Sequence, residues 1–319
     1  MDQQKFVPTR ENLEEAMERI GSYIHRTPVL TSRALNEMSG CELYFKCENF
    51  QRVGAFKLRG AVNTVLSLTD EEAAGGVITH SSGNHAQALA LAASIREIPA
   101  FIVMPKTAPG VKIRAVEGYG GEITFCEPTL RAREETCVRI TEDTGAYFIH
   151  PYNDGRIVMG QGTCAAELFD QVPGLEAVAA PVGGGGLISG TALAASYFSP
   201  ETEVYGGEPA KADDAYRSFE AKKLIPAENP KTVADGLLTS LGTLTFSIIL
   251  GHVKGIRTCS EEGIVSAMRH IWERMKIVVE PSASVPLACI LEDPDPWRGR
   301  RVGIILSGGN VDLDHLPWT

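Results

Sequence analysis

An α/β fold of two parallel-sheet lobes is predicted for this chain, and three observations predict it. Strand-like apolar runs alternate with helix-like runs from end to end, the pattern of parallel sheets covered by helices. Three of those apolar runs lead directly into turns of glycine or small hydroxyl residues, around residues 79–84, 181–186 and 306–310. No internal repeat, low-complexity tract or long linker interrupts the alternation, and 319 residues suffice for two lobes that each bury a core.

The elements follow in order. Residues 10–24 predict an amphipathic helix with Leu13, Met17, Ile20 and Ile24 on one face. Residues 43–47 read as a strand and 57–67 as a helix that opens at Lys57. The next block alternates regularly, with strands near Val77, Phe101 and Ile123, and with a helix over 86–96 after the strand at 76–79. This block is expected to be a small lobe, residues 69–153, inserted into a larger one formed by 1–68 and 154–319. In the larger lobe, 178–182 reads as a buried strand and 187–198 as a helix. Residues 222–231, rich in proline and polar side chains, read as a surface loop.

Composition excludes several classes. A net charge of −10 argues against a nucleic-acid or anionic-membrane surface. No apolar stretch approaches about 18 residues without charges or turn formers, so no membrane span is expected. The start of the chain, Met1-Asp2-Gln3-Gln4-Lys5, is polar and lacks a signal-peptide core. Seven scattered cysteines show no CxxC spacing and read as reduced core residues, Cys47 and Cys289 among them. A cytoplasmic location is therefore expected.

Candidate chemistry starts at Lys57, flanked by Phe56 and Leu58 within Val53-Gly54-Ala55-Phe56-Lys57-Leu58-Arg59. Burial lowers a lysine pKa, and the neutral amine is a nucleophile for aldehydes. A lysine snorkelling from a helix start is the alternative. The run Val182-Gly183-Gly184-Gly185-Gly186-Leu187 joins a strand to a helix. Consecutive glycines let backbone N–H groups converge on a phosphate at a helix N-terminus. The lysine of a nucleoside-triphosphate loop is absent, and Tyr205 and Gly206 stand where a dinucleotide site needs an acid. The turn Ser81-Ser82-Gly83-Asn84-His85 offers N–H and O–H donors to a carboxylate, or simply caps the following helix. Ser307, in Leu306-Ser307-Gly308-Gly309-Asn310, faces a ring nitrogen or closes a turn.

Together these segments resemble the fold-type II pyridoxal phosphate enzymes, and within them the serine racemase and serine/threonine dehydratase (ammonia-lyase) family. The resemblance extends from Thr27-Pro28-Val29-Leu30 to Val311-Asp312 and includes Tyr44-Phe45-Lys46-Cys47-Glu48-Asn49, Gly160-Gln161-Gly162-Thr163 and Ala234-Asp235-Gly236. It implies pyridoxal 5'-phosphate as cofactor, bound in the cleft between lobes, and a homodimer. It implies that Lys57 carries the cofactor and acts as base, with Ser82 reprotonating from the opposite face. The phosphate falls to Gly183, Gly184, Gly185 and Gly186. Phe56, Asn84, Gly236, Glu280 and Ser307 surround the ring, and a neutral Ser307 favours expulsion of a β-leaving group. The substrate carboxylate falls to Ser81, Ser82, Gly83, Asn84 and His85.

The implied activity is β-elimination from L-serine or L-threonine to a 2-oxo acid and ammonia, with serine racemisation alongside. Plain threonine dehydratases carry alanine where this chain has Ser82. Arg133 matches a substrate-loop arginine of the racemase branch and could pair with a second carboxylate, which makes L-threo-3-hydroxyaspartate the alternative substrate. Arg131 and Arg156 are weaker candidates, and Arg131 reads as surface. Glu208, Asp214 and the Ala212 carbonyl suit a hard cation, Mg²⁺ or else Ca²⁺ or Mn²⁺, unless they form a solvated acidic loop. The chain departs from the family in three places: Gly155 after Asp154, Ser282-Ala283-Ser284 after Pro281, and Val53 where ATP-binding racemases carry threonine. No regulatory domain of the biosynthetic threonine dehydratase type is expected, since the last motif lies near Thr319. A silent phosphate-ligand sensor would lack Lys57, and a β-replacement synthase would carry Thr-Ser-Gly-Asn-Thr, absent here.

Overall fold

Successive side chains of the larger sheet enter two apolar layers in alternation, one on each face. The computed structural model describes residues 8–108 and 110–318, so the polar start of the chain lies outside the described residues. In chain order the elements are α1 (Arg10–Ile20), β1 (Val29–Leu30), α2 (Arg33–Ser39), β2 (Glu42–Cys47), α3 (Lys57–Ser67), α4 (Asp70–Ala73), β3 (Val77–His80), α5 (Asn84–Arg96), β4 (Ala100–Pro105), α6 (Gly110–Gly118), β5 (Glu122–Cys126), α7 (Leu130–Thr144) and β6 (Tyr147–Phe148). They continue with α8 (Gly155–Gln171), β7 (Ala177–Pro181), α9 (Gly186–Phe198), β8 (Glu203–Pro209), α10 (Asp214–Ala221), α11 (Thr243–His252), β9 (Gly255–Cys259), α12 (Glu261–Met275), α13 (Pro281–Glu292) and β10 (Arg301–Leu306).

Two sheets result, a six-stranded one in the order β1-β2-β10-β7-β8-β9 and a four-stranded one in the order β5-β4-β3-β6. All pairings are parallel except that of the short edge strand β1 with β2. In the larger sheet Val178, Ala180, Val204 and Ile305 face α1, α8, α9 and α11. Ala177, Ala179, Val302, Ile304 and Leu306 face the opposite way, onto α2, α12 and α13. The strands are thus buried on both faces, which explains why they read as continuous apolar runs. No helix among the described residues is long and apolar enough to cross a membrane.

Element boundaries shift in small, explicable ways. The first helix ends at Ile20 because the chain turns at Gly21, and Ile24 lies beyond it. Its buried stripe is Leu13, Ala16 and Ile20, with Met17 at the margin. The strand read at 178–182 is Ala177–Pro181, and the helix read at 86–96 starts two residues earlier, at Asn84. Glu208 lies inside β8 rather than after it. All seven cysteines are free and buried, as expected.

Helix α3 connects the two halves. Its Leu58, Ala61, Val62 and Val65 join the apolar cluster of α5, β3 and β4, while its other face meets α8. The α3–α8 contact is close because a Cβ on Gly60 would stand 2.3 Å from the Gln161 amide nitrogen. A Cβ on Gly160 would stand 2.5 Å from the Arg59 carbonyl. Two residues past Lys57, Arg59 enters a buried ion network. It donates to Glu48 at 2.7 and 2.8 Å and to Glu167 at 2.8 and 2.9 Å. Lys46 donates to Glu167 at 2.6 Å and to the Thr27 carbonyl at 2.9 Å. Two cations and two carboxylates balance, and all four are buried. Burial pushes the Glu48 carboxyl up; Arg59 more than reverses this, holding it below the ordinary carboxylate range.

Candidate active site

Lys57 starts α3 at the junction of the two sheets, and its backbone is fixed from outside the helix. Phe56 N–H donates to the Ser307 carbonyl at 3.0 Å, Ala55 forms a bridge with Gly308, and Gly309 N–H donates to the Gly54 carbonyl at 2.9 Å. Just upstream, Val53 holds a left-handed backbone (φ 57°, ψ 10°), with its carbonyl accepting from Asn310 Nδ2 at 2.7 Å. A β-branched residue is strained there. Residues 53–56 are thus tied one by one to residues 307–310 just past β10, placing Ser307 against Phe56, next to Lys57 in the chain.

The Lys57 amine donates to the Pro151 carbonyl at 2.9 Å and stands 5.2 Å from the centre of the Phe56 ring. Burial lowers its pKa from 10.5 to about 8, against the opposing pull of Glu280. The lysine is therefore neither a surface lysine nor permanently neutral; its free amine becomes available at mildly alkaline pH.

Glu280, at the start of α13, is buried among Asn84, Gly308 and Asn310. Asn84 Nδ2 donates to its two oxygens at 2.9 and 3.1 Å, and Asn310 Nδ2 donates to Asn84 Oδ1 at 2.9 Å. Burial first, and Asp235 second, push Glu280 up to about 7. Asn84 opens α5, so this link spans the cleft. Lys112 of α6 makes a second link to Asp235 at 2.5 Å, and Glu72 of α4 a third to Arg156 at 3.3 Å. Gly236, next to Asp235, donates its N–H to Ser282 Oγ at 3.2 Å.

The tetraglycine turn joins β7 to α9. A Cβ on Gly184 would stand 2.3 Å from the Tyr152 ring, and one on Gly185, at φ 89°, would stand 2.8 Å from Thr245. Gly183 and Gly186 are less confined: a Cβ on the first would stand 3.1 Å from the Leu237 backbone and one on the second 3.1 Å from Tyr152. No side chain caps the N-terminus of α9, so its first N–H groups have no side-chain partner. Glycines are required here by close approach, and the helix end offers donors to an anion.

The Ser81–His85 turn links β3 to α5, with Gly83 N–H donating to Ser81 Oγ at 3.3 Å. Histidines gather around it. His85 is 2% exposed, and burial, together with the charges of Lys57 and His150, holds it well below the ordinary imidazole range. Burial and the neighbouring His80 and Lys57 lower His150 to about 4. His80, stacked on Phe148, is lowered by burial and by the charge of Arg133 on α7. Arg133 is partly buried, and its charge also acts on Tyr152, whereas Arg131 is exposed and paired with Glu135. These contacts bring Asn84 of the turn together with Glu280 and Asn310, set Ser307 against Phe56 next to Lys57, and place Tyr152, which follows the Pro151 acceptor of Lys57, on the glycine turn.

The acidic pair lies apart, behind the turn. Glu208 accepts from the N–H groups of Ala215 and Tyr216 at 2.9 and 2.8 Å, and Asp214 from Leu241 N–H at 3.3 Å. Both are 1% exposed, and burial raises them to about 8 and about 6. Their cationic neighbour Arg217 pairs with Asp213 instead. The two carboxylates are buried and have only backbone donors, so they are not a solvated acidic loop; among the described residues no group of three or more His, Cys, Asp and Glu side chains is placed to hold a metal. Residues that the sequence reading missed are Tyr152, Thr245, Lys112 and Asp235. Only the Ala234-Asp235-Gly236 motif pointed near any of them.

An amine of lowered pKa on the Pro151 carbonyl, with the next residue, Tyr152, packed on an uncapped glycine turn, fits a ligand with an aldehyde carbon and a phosphate. Comparison with known proteins agrees. A β-hydroxyaspartate dehydratase of Paracoccus denitrificans is 56% identical over 313 residues, spanning 98% of this chain and 99% of that protein. The crystal structure of serine racemase from Dictyostelium discoideum matches with a TM-score of 0.91 at 48% identity, covering 96% of this chain and 99% of that one. The crystal structure of a T.th. threonine deaminase matches at 0.92 and 43% identity, with 96% and 99% covered. Residues 20–308 match the family model described as pyridoxal-phosphate dependent enzyme, and it is to this family, in its fold-type II lyases and racemases, that the chain belongs.

Proposed function

We propose that this enzyme eliminates the hydroxyl group of a 2-amino-3-hydroxy acid as water, that hydrolysis then yields a 2-oxo acid and ammonia, and that 3-hydroxyaspartate is its preferred substrate. Arg133 is the observation that carries the reading. Its guanidinium is half-buried, makes no ion pair among the described residues, and acts electrostatically on His80 and Tyr152 at the cleft. In a chain of net charge −10 such a cation is suited to the extra carboxylate that distinguishes 3-hydroxyaspartate from serine. The 56% identity to a β-hydroxyaspartate dehydratase supports the same choice.

The coenzyme supplies the electron sink that makes the α-proton removable. Lys57 holds it and takes that proton; the Ser81–His85 turn binds the α-carboxylate; Phe56, Asn84, Gly236, Glu280 and Ser307 enclose the ring; Gly183 to Gly186 hold the phosphate. A cation on Glu208, Asp214 and the Ala212 carbonyl is part of the proposal, supported by the burial of both carboxyl groups with backbone donors and, among the described residues, no cationic side chain bonded to either. So is the lobe division at 69–153, since every strand of the smaller sheet falls within 77–148. A cytoplasmic site is supported by the seven free thiols.

The test is kcat/KM on 3-hydroxyaspartate diastereomers, serine and threonine. Arg133→Ala is expected to lower kcat/KM for 3-hydroxyaspartate by roughly 10- to 100-fold, the worth of a charge-assisted hydrogen bond, and to leave serine within about threefold. Equal losses on both substrates would remove Arg133 from substrate selection and the reading with it.

A second reading, serine dehydration with racemisation, is favoured by Ser82. A hydroxyl on the turn opposite Lys57 provides a proton donor for the second face. Ser82→Ala is expected to suppress D-serine formation while sparing elimination from L-serine, followed by chiral chromatography. Parallel loss of both activities would make Ser82 a substrate-positioning group.

A further inference from the structure

The turn expected to receive the phosphate is built of residues that cannot hold their own orientation. Glycine restricts the backbone least, and four in succession can present either their N–H or their C=O groups to the cleft. Something outside the turn must select the arrangement, and one side chain is placed to do so.

Thr245, in the first turn of α11, is fully buried. Its hydroxyl accepts the Gly242 N–H at 3.0 Å and lies 2.8 Å from the Gly184 carbonyl and 3.1 Å from the Gly242 carbonyl. A hydroxyl has one proton to donate, and the shorter distance assigns it to Gly184. The Gly184 carbonyl is thereby held toward α11 and away from the cleft, which turns the N–H of the same peptide unit, that of Gly185, the opposite way. A second contact fixes the far side of the turn: Ser189 Oγ donates to the Thr245 carbonyl at 3.3 Å, and Ser189 N–H donates to the Gly185 carbonyl at 2.9 Å. The Thr245 side chain also occupies the space that a Cβ on Gly185 would need, 2.8 Å away. The support is itself supported, since Asn153 Oδ1 accepts the Leu244 N–H at 2.9 Å and Asp214 accepts that of Leu241.

We infer that Thr245 is a positioning residue for phosphate, setting the peptide orientation of the tetraglycine turn through the Gly184 carbonyl without touching the ligand. The inference is independent of which amino acid is the substrate. It makes a specific demand: removing the hydroxyl must weaken the hold on the phosphate and not on the rest of the coenzyme.

The experiment compares the affinity of the apoprotein for pyridoxal 5'-phosphate and for pyridoxal, titrated by absorbance, in the wild type, Thr245→Ser and Thr245→Val. Thr245→Val keeps the shape and leaves the Gly184 carbonyl and the Gly242 N–H without their partner. It is expected to weaken pyridoxal 5'-phosphate by on the order of tenfold, the equivalent of one buried hydrogen bond, and pyridoxal by less than about twofold. Thr245→Ser is expected to restore wild-type affinity for both. An unchanged affinity for pyridoxal 5'-phosphate in Thr245→Val would overturn the inference, as would an equal loss for the two ligands. Should Thr245→Val not fold, Thr245→Ala is titrated under the same criteria; failure of both to fold would overturn the positioning role in favour of a purely structural one. A wild type that binds neither ligand would refute the coenzyme assignment instead.

Discussion

Lys57→Ala is expected to give a folded protein that forms no borohydride-sensitive visible band with pyridoxal 5'-phosphate, and whose kcat falls by roughly 10³-fold or more. The substitution removes the only lysine at the cleft end of α3, where the amine now rests on the Pro151 carbonyl. Two further readouts follow from its pKa of about 8. The rate at which the apoprotein captures the coenzyme should rise with pH and level off near 8, whereas an ordinary lysine would keep gaining to about 10.4. Stability carries the opposite mark. Between pH 8 and 10.5 the unfolded chain keeps the proton that the folded chain has lost, so the contribution of Lys57 to stability rises with pH across that window. At neutral pH its buried ammonium is a cost, and the apoprotein of Lys57→Ala should melt no lower than the wild type. A capture rate still climbing at pH 10 would mean that burial leaves this amine unperturbed.

Arg59→Met is the change with the largest expected effect on stability. It removes the central cation of the buried network, leaving Glu167 paired with Lys46 and Glu48 with the Thr27 hydroxyl as its bonded partner. Breaking a buried ion pair from one side costs about 3–5 kcal/mol, because the remaining charge has no solvent. The urea midpoint should fall accordingly at pH 7. The sign of the pH dependence is fixed by Glu48, whose carboxyl lies below its ordinary value in the fold. Its stabilisation is present above the ordinary carboxylate pKa of about 4.3 and is lost as pH falls through and below it, so the gap between wild type and Arg59→Met should narrow in acid. Adding Glu48→Gln should recover part of the loss. A midpoint shift equivalent to less than about 1 kcal/mol would show that solvent reaches the network.

The alternation of apolar runs was enough to read two parallel sheets, because strands buried on both faces leave an unbroken apolar signal in the chain. Helix α3 has the bounds read from the sequence, Lys57–Ser67, although no side chain caps its start. What stayed illegible was set by contacts distant in the chain. The approach of Gly60 explains the first glycine of the Gly160-Gln161-Gly162-Thr163 motif and the Gly190 carbonyl, 2.9 Å from a Cβ on Gly162, the second, yet nothing local to any of these segments predicts the others. Thr245 looks like any threonine near a helix start until Gly184 is brought to it across 61 positions. Lys112 and Asp235 are ordinary surface residues in sequence and become partners only when α6 faces the 235–237 turn. Lys57 and the glycine run could be found because their chemistry is unusual wherever they sit. Their supports are common residues whose meaning is positional.

Val53 offers a last consequence. Its backbone is wound in a sense that a valine resists, at a cost of about 1–3 kcal/mol, and the grip of Asn310 and Gly309 helps the local Gly54–Gln51 turn bond keep it so. The stretch before Lys57 therefore behaves as a loaded spring whose catch lies near the far end of the chain. The catch grips the carbonyl and not the side chain, so an asparagine at position 53, which accepts the left-handed turn, would slacken the spring and leave the reactive amine's mooring in place.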